Sequence, residues 1–258
     1  MDQNLTERFW EIDLLRGIAI IMMIVFHLLY DLDHFGAYNL TGHSGFLFYF
    51  ARATATIFLL LVGISLTLSF SRATNRQKTK TKLYRKYLKR GSTIFAWGLV
   101  ITVLTWVFLR EGFVVWGILH LIGISIILAY PLLKFRYWNL LLGLSFMVLG
   151  LFLKNVSVGF PWLLWLGLTP NSFYTIDYFP LLPWFGVVLL GVVIGNALYP
   201  DYTRNFKLRD LSQFTGIRLF TFLGRHSLLI YLIHQPVLIT VLYLLGFVEI
   251  GILAFPQS

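Results

Sequence analysis

Seven long apolar runs, at 14–30, 46–70, 92–109, 114–133, 138–153, 179–199 and 227–247, constrain this chain more than any other feature. Crossing a bilayer as an α-helix takes roughly 20 such residues. Lipid offers no hydrogen bonds, so each segment must satisfy its own backbone groups, which favours helices. The expected fold class is all-α: a polytopic membrane protein with about seven transmembrane helices. Of 258 residues, 58% are hydrophobic and 12% charged, whereas soluble domains carry about a quarter charged residues. That leaves no separate soluble domain, so 1–258 reads as a single transmembrane domain. The apolar stretch at 157–168 is too short to cross, and its Pro161, Trp162 and Trp165 suit an interfacial or re-entrant segment.

The net charge of +10 would fit a nucleic-acid binder if the basic residues formed one surface. They alternate between loops instead. Eighteen of the 21 Lys and Arg fall on one side of the expected membrane, nine of them between Arg72 and Arg90, while Arg110 and Lys154 fall on the other and Arg52 lies inside a span. The positive-inside rule then places the N-terminus in the cytoplasm and the C-terminus outside, in a cell membrane, and nucleic acid is not an expected partner. The first span does not read as a cleaved signal peptide, because Asp2, Glu7, Glu11 and Asp13 lead it and His27 and Asp31 end it. The segment 71–89 reads as a charged linker.

With no cysteine, disulfides, thiolate nucleophiles and sulfur-ligated zinc are excluded, leaving histidine, carboxylates and hydroxyls for chemistry. Ionisable side chains inside spans are costly and are functional candidates by default. Arg16 and His27, eleven positions apart, share one face of the first helix about 16 Å apart. Asp13, Asp31 and His34 extend that stripe, and Asp31 is in reach of the His27 imidazole, where it would fix the tautomer of a general base. Arg52 and His120 each lie about six residues into their helices from the outer side, at a depth similar to His27. Snorkelling to the headgroups is an equal explanation for Arg52. His120, between Gly117 and Gly123, sits where helices approach closely and is expected to face the bundle. On the last helix Ser227, Tyr231 and His234 recur at i, i+4 and i+7, followed by Gln235 and Pro236. For His234, a structural hydrogen bond to a neighbouring helix is preferred to catalysis.

Asp13-Leu14-Leu15-Arg16-Gly17, His27, Tyr30-Asp31-Leu32, Gly63-Ile64-Ser65 and the segment 116–123 together resemble the small prokaryotic members of the heparan-α-glucosaminide N-acetyltransferase catalytic-domain family. The Arg16 to His27 spacing is also similar to that of the related acyltransferase family 3 proteins, as are Leu223-Gly224-Arg225-His226-Ser227 and Tyr231-Leu232-Ile233-His234-Gln235-Pro236. The resemblance implies acyl transfer, acetyl above all, from cytoplasmic acyl-CoA (acetyl-CoA or another acyl-coenzyme A) to an extracytoplasmic glycan or glycolipid. It also implies an essential histidine at His27 with Arg16 as its motif partner. In the lysosomal enzyme of that family the histidine lies in the first outer loop, so His43 is the alternative to His27.

Such a transfer needs a base or acyl carrier and a group that stabilises the tetrahedral oxyanion. A histidine oriented by a carboxylate answers the first need, and Arg52 or His120 the second. The anionic nucleotide of the donor would meet Arg16 and the basic stretch containing Lys78, Lys80, Lys82, Arg85, Lys86, Lys89 and Arg90, although that density is equally a topology signal. Two other classes compete. His27, Asp31 and His34 at i, i+4 and i+7, with His43 as a fourth group, would suit a transporter or a metal- or proton-handling membrane protein. A non-catalytic lipid-binding subunit would use the basic stretch as its working surface. Membrane lipid is a partner in every reading, and a homodimer is compatible with each.

Overall fold

The structure is a computed structural model that describes residues 8–35, 44–76, 79–109 and 111–247. His43, Lys78 and Arg110 lie outside the described residues. The helices are α1 (Trp10–His34), α2 (Ser44–Asn75), α3 (Lys80–Leu109), α4 (Ile118–Ala129), which continues as a 3-10 segment (Tyr130–Phe135), α5 (Trp138–Leu153), α6 (Leu181–Leu198), α7 (Thr215–Arg225) and α8 (Ser227–Leu244). Among the described residues, six helices are long and apolar enough to cross a membrane: α1, α2, α3, α4 with its 3-10 extension, α6 and α8. α5 is a shorter apolar helix of 16 residues. The all-helical multi-pass fold agrees with the seven apolar runs.

Three local features go beyond the hydropathy reading. The charged linker is largely helical, since α2 extends to Asn75 and α3 begins at Lys80. Lys, Arg and Leu are good helix formers, and neither Gly nor Pro interrupts the stretch before Gly91. The segment 157–168 is a non-helical run of turns, tied by a bridge between Ser157 and Thr169. α7 has no counterpart in the hydropathy reading, because its 11 residues span only about 16 Å.

The chain divides into two compact units. One contains 59–207: the second part of α2 with α3 to α6. Its core helix is α6, where Val188, Leu189 and Val192 are fully buried. Small residues set the close packing. A Cβ at Gly63 would run into the Val188 carbonyl, and one at Gly191 into the Leu60 carbonyl. Gly91 and Gly123 join α3 to α4 in the same way, and Gly143 and Gly186 join α5 to α6.

The other unit contains 6–58 and 208–258: α1, the first part of α2, α7 and α8. Here α1 packs most extensively on α7 and also on α8. The α1–α7 contact is again made by glycines, since a Cβ at Gly17 would meet the Phe220 carbonyl and one at Gly224 the Asp13 carbonyl. α7 buries Thr221 and Gly224 and turns Leu219 and Phe222 outward, the inverse of a soluble amphipathic helix and consistent with lipid surroundings. Pro236 lies within α8.

Candidate active site

Acidic residues in the first turn of α1 suit the positive end of the helix dipole. Asp13, nearly buried, also carries the principal ion-pair cluster of its unit. Arg16 Nη1 donates to Asp13 Oδ1 at 2.9 Å, and Arg225, from the last turn of α7, donates through Nε to Asp13 Oδ2 at 3.3 Å. Two guanidiniums thus share one carboxylate, with the Arg225 side chain 49% exposed. The sequence singles out Arg16, whereas Arg225 stands there only within the segment Leu223-Gly224-Arg225-His226-Ser227, with no partner assigned. The close helix crossing at Gly17 and Gly224 brings it to Asp13, and hydropathy carries no signal for such a crossing.

Eleven residues further along α1, the His27 ring packs against that of His234 of α8 in a tilted arrangement, with ring centroids 4.8 Å apart and planes at 58°. The ring nitrogens differ in their partners. His234 Nδ1 lies 2.6 Å from the carbonyl oxygen of Tyr231, within its own helix rather than on a neighbour. A carbonyl only accepts, so Nδ1 carries the proton and Nε2 the lone pair. Among the described residues, His234 Nε2 and His27 Nδ1 are buried without a hydrogen-bond partner.

Asp31 lies one turn beyond His27 and is 2% exposed. Its two carboxylate oxygens accept from Gln235 Nε2 at 2.8 and 2.9 Å, which leaves Gln235 Oε1 buried without a partner. The expected pairing of Asp31 with the His27 imidazole is therefore replaced by an amide from α8. Sequence reasoning noted Gln235 only as a neighbour of His234. A buried charge needs a donor, and that requirement was the available signal. His34 stacks on Tyr30, with ring centroids 5.7 Å apart. Among the described residues, no group of three or more His, Asp and Glu could hold a metal ion, so the His27, Asp31 and His34 cluster of the transporter reading does not assemble. An open, apolar groove of about 180 Å³ lies beside the pair, lined by Ile24, Ile230, Ile233, Val237, Leu238 and the His234 ring.

Arg52 is exposed, with its guanidinium 4.8 Å from the Phe48 ring centroid, a packing that fits the snorkelling account. His120 belongs to the other unit and is 2% exposed. Its Nδ1 accepts from the Gly117 amide at 3.2 Å, capping α4, and Nε2 lies 3.4 Å from Thr102 Oγ1. Trp116 stacks on the ring, Phe95 meets it edge-on, and Gly98 leaves room for it. Both ring nitrogens thus have a polar neighbour, and Nδ1 caps α4.

Lys82, Arg85, Lys86 and Arg90 are exposed in the first turns of α3, while Leu83 and Tyr87 are buried. Lys86 Nζ donates to Ser69 Oγ at 2.7 Å. In the loop before α6, Asp177 Oδ2 accepts from the Ile118 amide at 3.3 Å at the start of α4. Burial pushes its carboxyl up to about 6, against the opposing pull of that amide. Next to it the Tyr178 hydroxyl donates to the Leu164 carbonyl at 2.7 Å, and burial pushes its phenol up to about 12.

Comparison with protein-family models matches residues 8–236 to the catalytic domain of heparan-alpha-glucosaminide N-acetyltransferase. Comparison with curated proteins gives no match, and neither does comparison with solved structures. The match covers most of the chain, runs through both units and extends to the polar residues of α8, and the chain therefore belongs to the heparan-α-glucosaminide N-acetyltransferase catalytic family, as a multi-pass membrane protein of acetyltransferase type.

Proposed function

We propose that the chain moves an acyl group, acetyl in the simplest case, from cytoplasmic acyl-coenzyme A to a sugar amine or hydroxyl on the far side of a cell membrane. The N-terminus is cytoplasmic and the C-terminus extracytoplasmic, in keeping with the distribution of Lys and Arg. The two units act as one catalytic domain. The observation that carries the reading is the His27–His234 pair, with two buried ring nitrogens lacking partners on the stripe of α1 that begins at Arg16. An unpartnered buried polar atom is costly, and such groups are retained where chemistry uses them.

The donor's two ends have different needs. Its phosphates are anionic, and Arg16 and Arg225 supply guanidiniums suited to them at the cytoplasmic end of α1. The exposed basic turns of α3 add an electrostatic attractor on the same membrane face. Its thioester is already activated, so the remaining task is proton removal from the nucleophile, or acyl transfer through an imidazole. Arg16 and His27 are about 16 Å apart along α1, a length suited to an extended pantetheine arm.

The test is acyl transfer by the purified chain in detergent, with acetyl-coenzyme A as donor and glucosamine as acceptor probe. Wild type binds the donor and transfers, whereas His27→Ala and His27→Gln disrupt the His27–His234 pair and lower turnover by about 10²-fold or more, at unchanged thermal stability. Full activity in both variants would move the essential histidine elsewhere, with His43 the next to substitute.

A further inference from the structure

Beyond that reading, and resting on it, we infer that His234 is the general base of the reaction, held by the Tyr231 carbonyl so that its Nε2 lone pair takes the proton of the attacking acceptor. The argument starts from the tautomer. A general base must present an unprotonated nitrogen, and an imidazole does so reliably when its other nitrogen is fixed as a donor. His234 Nδ1 is fixed in this way by the Tyr231 carbonyl at 2.6 Å. His27 has no such anchor on Nδ1, which is buried and unpartnered. Asp31, the carboxylate that would have provided one, is held by Gln235 through both oxygens.

Location supports the assignment. His234 Nε2 is buried, has no hydrogen-bond partner, and belongs to a ring 4.8 Å from the His27 ring. His234 is also one of the residues that line the open apolar groove on α1 and α8. Structural histidines of this chain look different. His120 has partners on both nitrogens. His226 makes the same kind of contact, from Nδ1 to the Phe222 carbonyl at 2.9 Å, but is exposed. His234 alone among these three combines an anchored Nδ1 with a buried, unpartnered Nε2.

The step balances without a further reactant. The acceptor nitrogen or oxygen forms its bond to the thioester carbonyl carbon while its proton passes to His234 Nε2. The carbon–sulfur bond then breaks, and the leaving sulfur takes the proton back from His234. The products are the acylated acceptor and coenzyme A thiol.

The experiment uses the full chain in detergent, with acetyl-coenzyme A and glucosamine, and compares His234→Asn, His234→Gln, His234→Ala and the control His226→Asn. Asparagine keeps a donor for the Tyr231 carbonyl but has no basic nitrogen. The expected result is turnover about 100-fold lower or less in both amide variants, with donor affinity and melting temperature as in wild type. Added imidazole should restore part of the rate in His234→Ala, and His226→Asn should keep full activity. Wild-type turnover in His234→Asn, or parallel loss of donor binding and thermal stability in all three His234 variants, would overturn the assignment while leaving the transferase reading intact. A wild-type protein that neither binds acetyl-coenzyme A nor transfers its acetyl group would overturn both.

Discussion

Two regions of this molecule bury histidine within apolar helices, and they do so in opposite ways. His120 is 2% exposed, caps α4 through Nδ1, contacts Thr102 through Nε2 and lies between Trp116 and Phe95. The His27–His234 pair packs ring against ring at a tilt and keeps a buried nitrogen without a partner on each. Burial alone does not distinguish a working imidazole from a structural one. Under the proposed function the hydrogen-bond state of the second nitrogen separates them, because a ring with both nitrogens satisfied has less to offer a substrate.

The largest effect that would break this contrast is expected at His120. Replacing it by alanine opens a cavity and removes the cap, at a cost on the order of 3 kcal/mol. His120→Ala should therefore melt well below wild type, while turnover per folded molecule stays within about threefold, far short of the loss expected for a catalytic group. Thermal unfolding and acetyl transfer measured on one preparation decide the matter. Lost turnover at an unchanged melting temperature would return His120 to the catalytic set.

A smaller effect is expected in the exposed basic turns of α3. Changing Lys82 and Arg85 to glutamine removes two charges that act at a distance, so donor half-saturation should rise by about threefold to tenfold at low salt. The gap should close at high ionic strength, where the Debye length shrinks to a few ångströms. Identical donor titrations at both salt concentrations would leave the stretch with only its topological role.

The smallest effect is expected at Asp177, which accepts from the Ile118 amide at the start of α4, next to the Gly117 amide held by His120. Its carboxyl is raised to about 6 from an ordinary value of 3.8, so the folded state binds more protons than the unfolded state between those values. This contribution to stability is present at low pH and is lost as pH rises through about 6. Asp177→Asn should raise the melting temperature by a few degrees relative to wild type at pH 7.5, and the difference should vanish near pH 4.5. A constant difference across that range would mean that the carboxylate is not buried against α4 in the working protein.

The spans were legible because the bilayer sets a minimum length that a hydropathy pattern reveals without reference to neighbours. The family resemblance rested on Asp13 to Gly17, His27, Tyr30 to Leu32, Gly63 to Ser65 and 116–123, and the match over 8–236 agrees with it. Less legible was what each polar residue touches. Asp31 is four residues from His27, an ordinary helical pairing, yet it takes its partner from α8. Arg52 looked like a charge inside a span, yet its guanidinium packs over Phe48 at the surface. α7 escaped notice because its 11 residues are too few to cross and its small residues, not its large ones, face the protein.

By itself the sequence determined that the chain is an all-helical membrane protein with a basic and a histidine-bearing end on one helix. Apolar run length and charge alternation act along the chain and need no tertiary contact. Only the tertiary structure decided that Arg225 shares Asp13 with Arg16, that Gln235 rather than His27 holds Asp31, and that His234 joins an Nδ1 anchored on Tyr231 to a buried, unpartnered Nε2. Hydrogen-bond partners depend on which helices meet and at what rotation, and here glycine crossings of α1 and α7 set that geometry through backbone contacts.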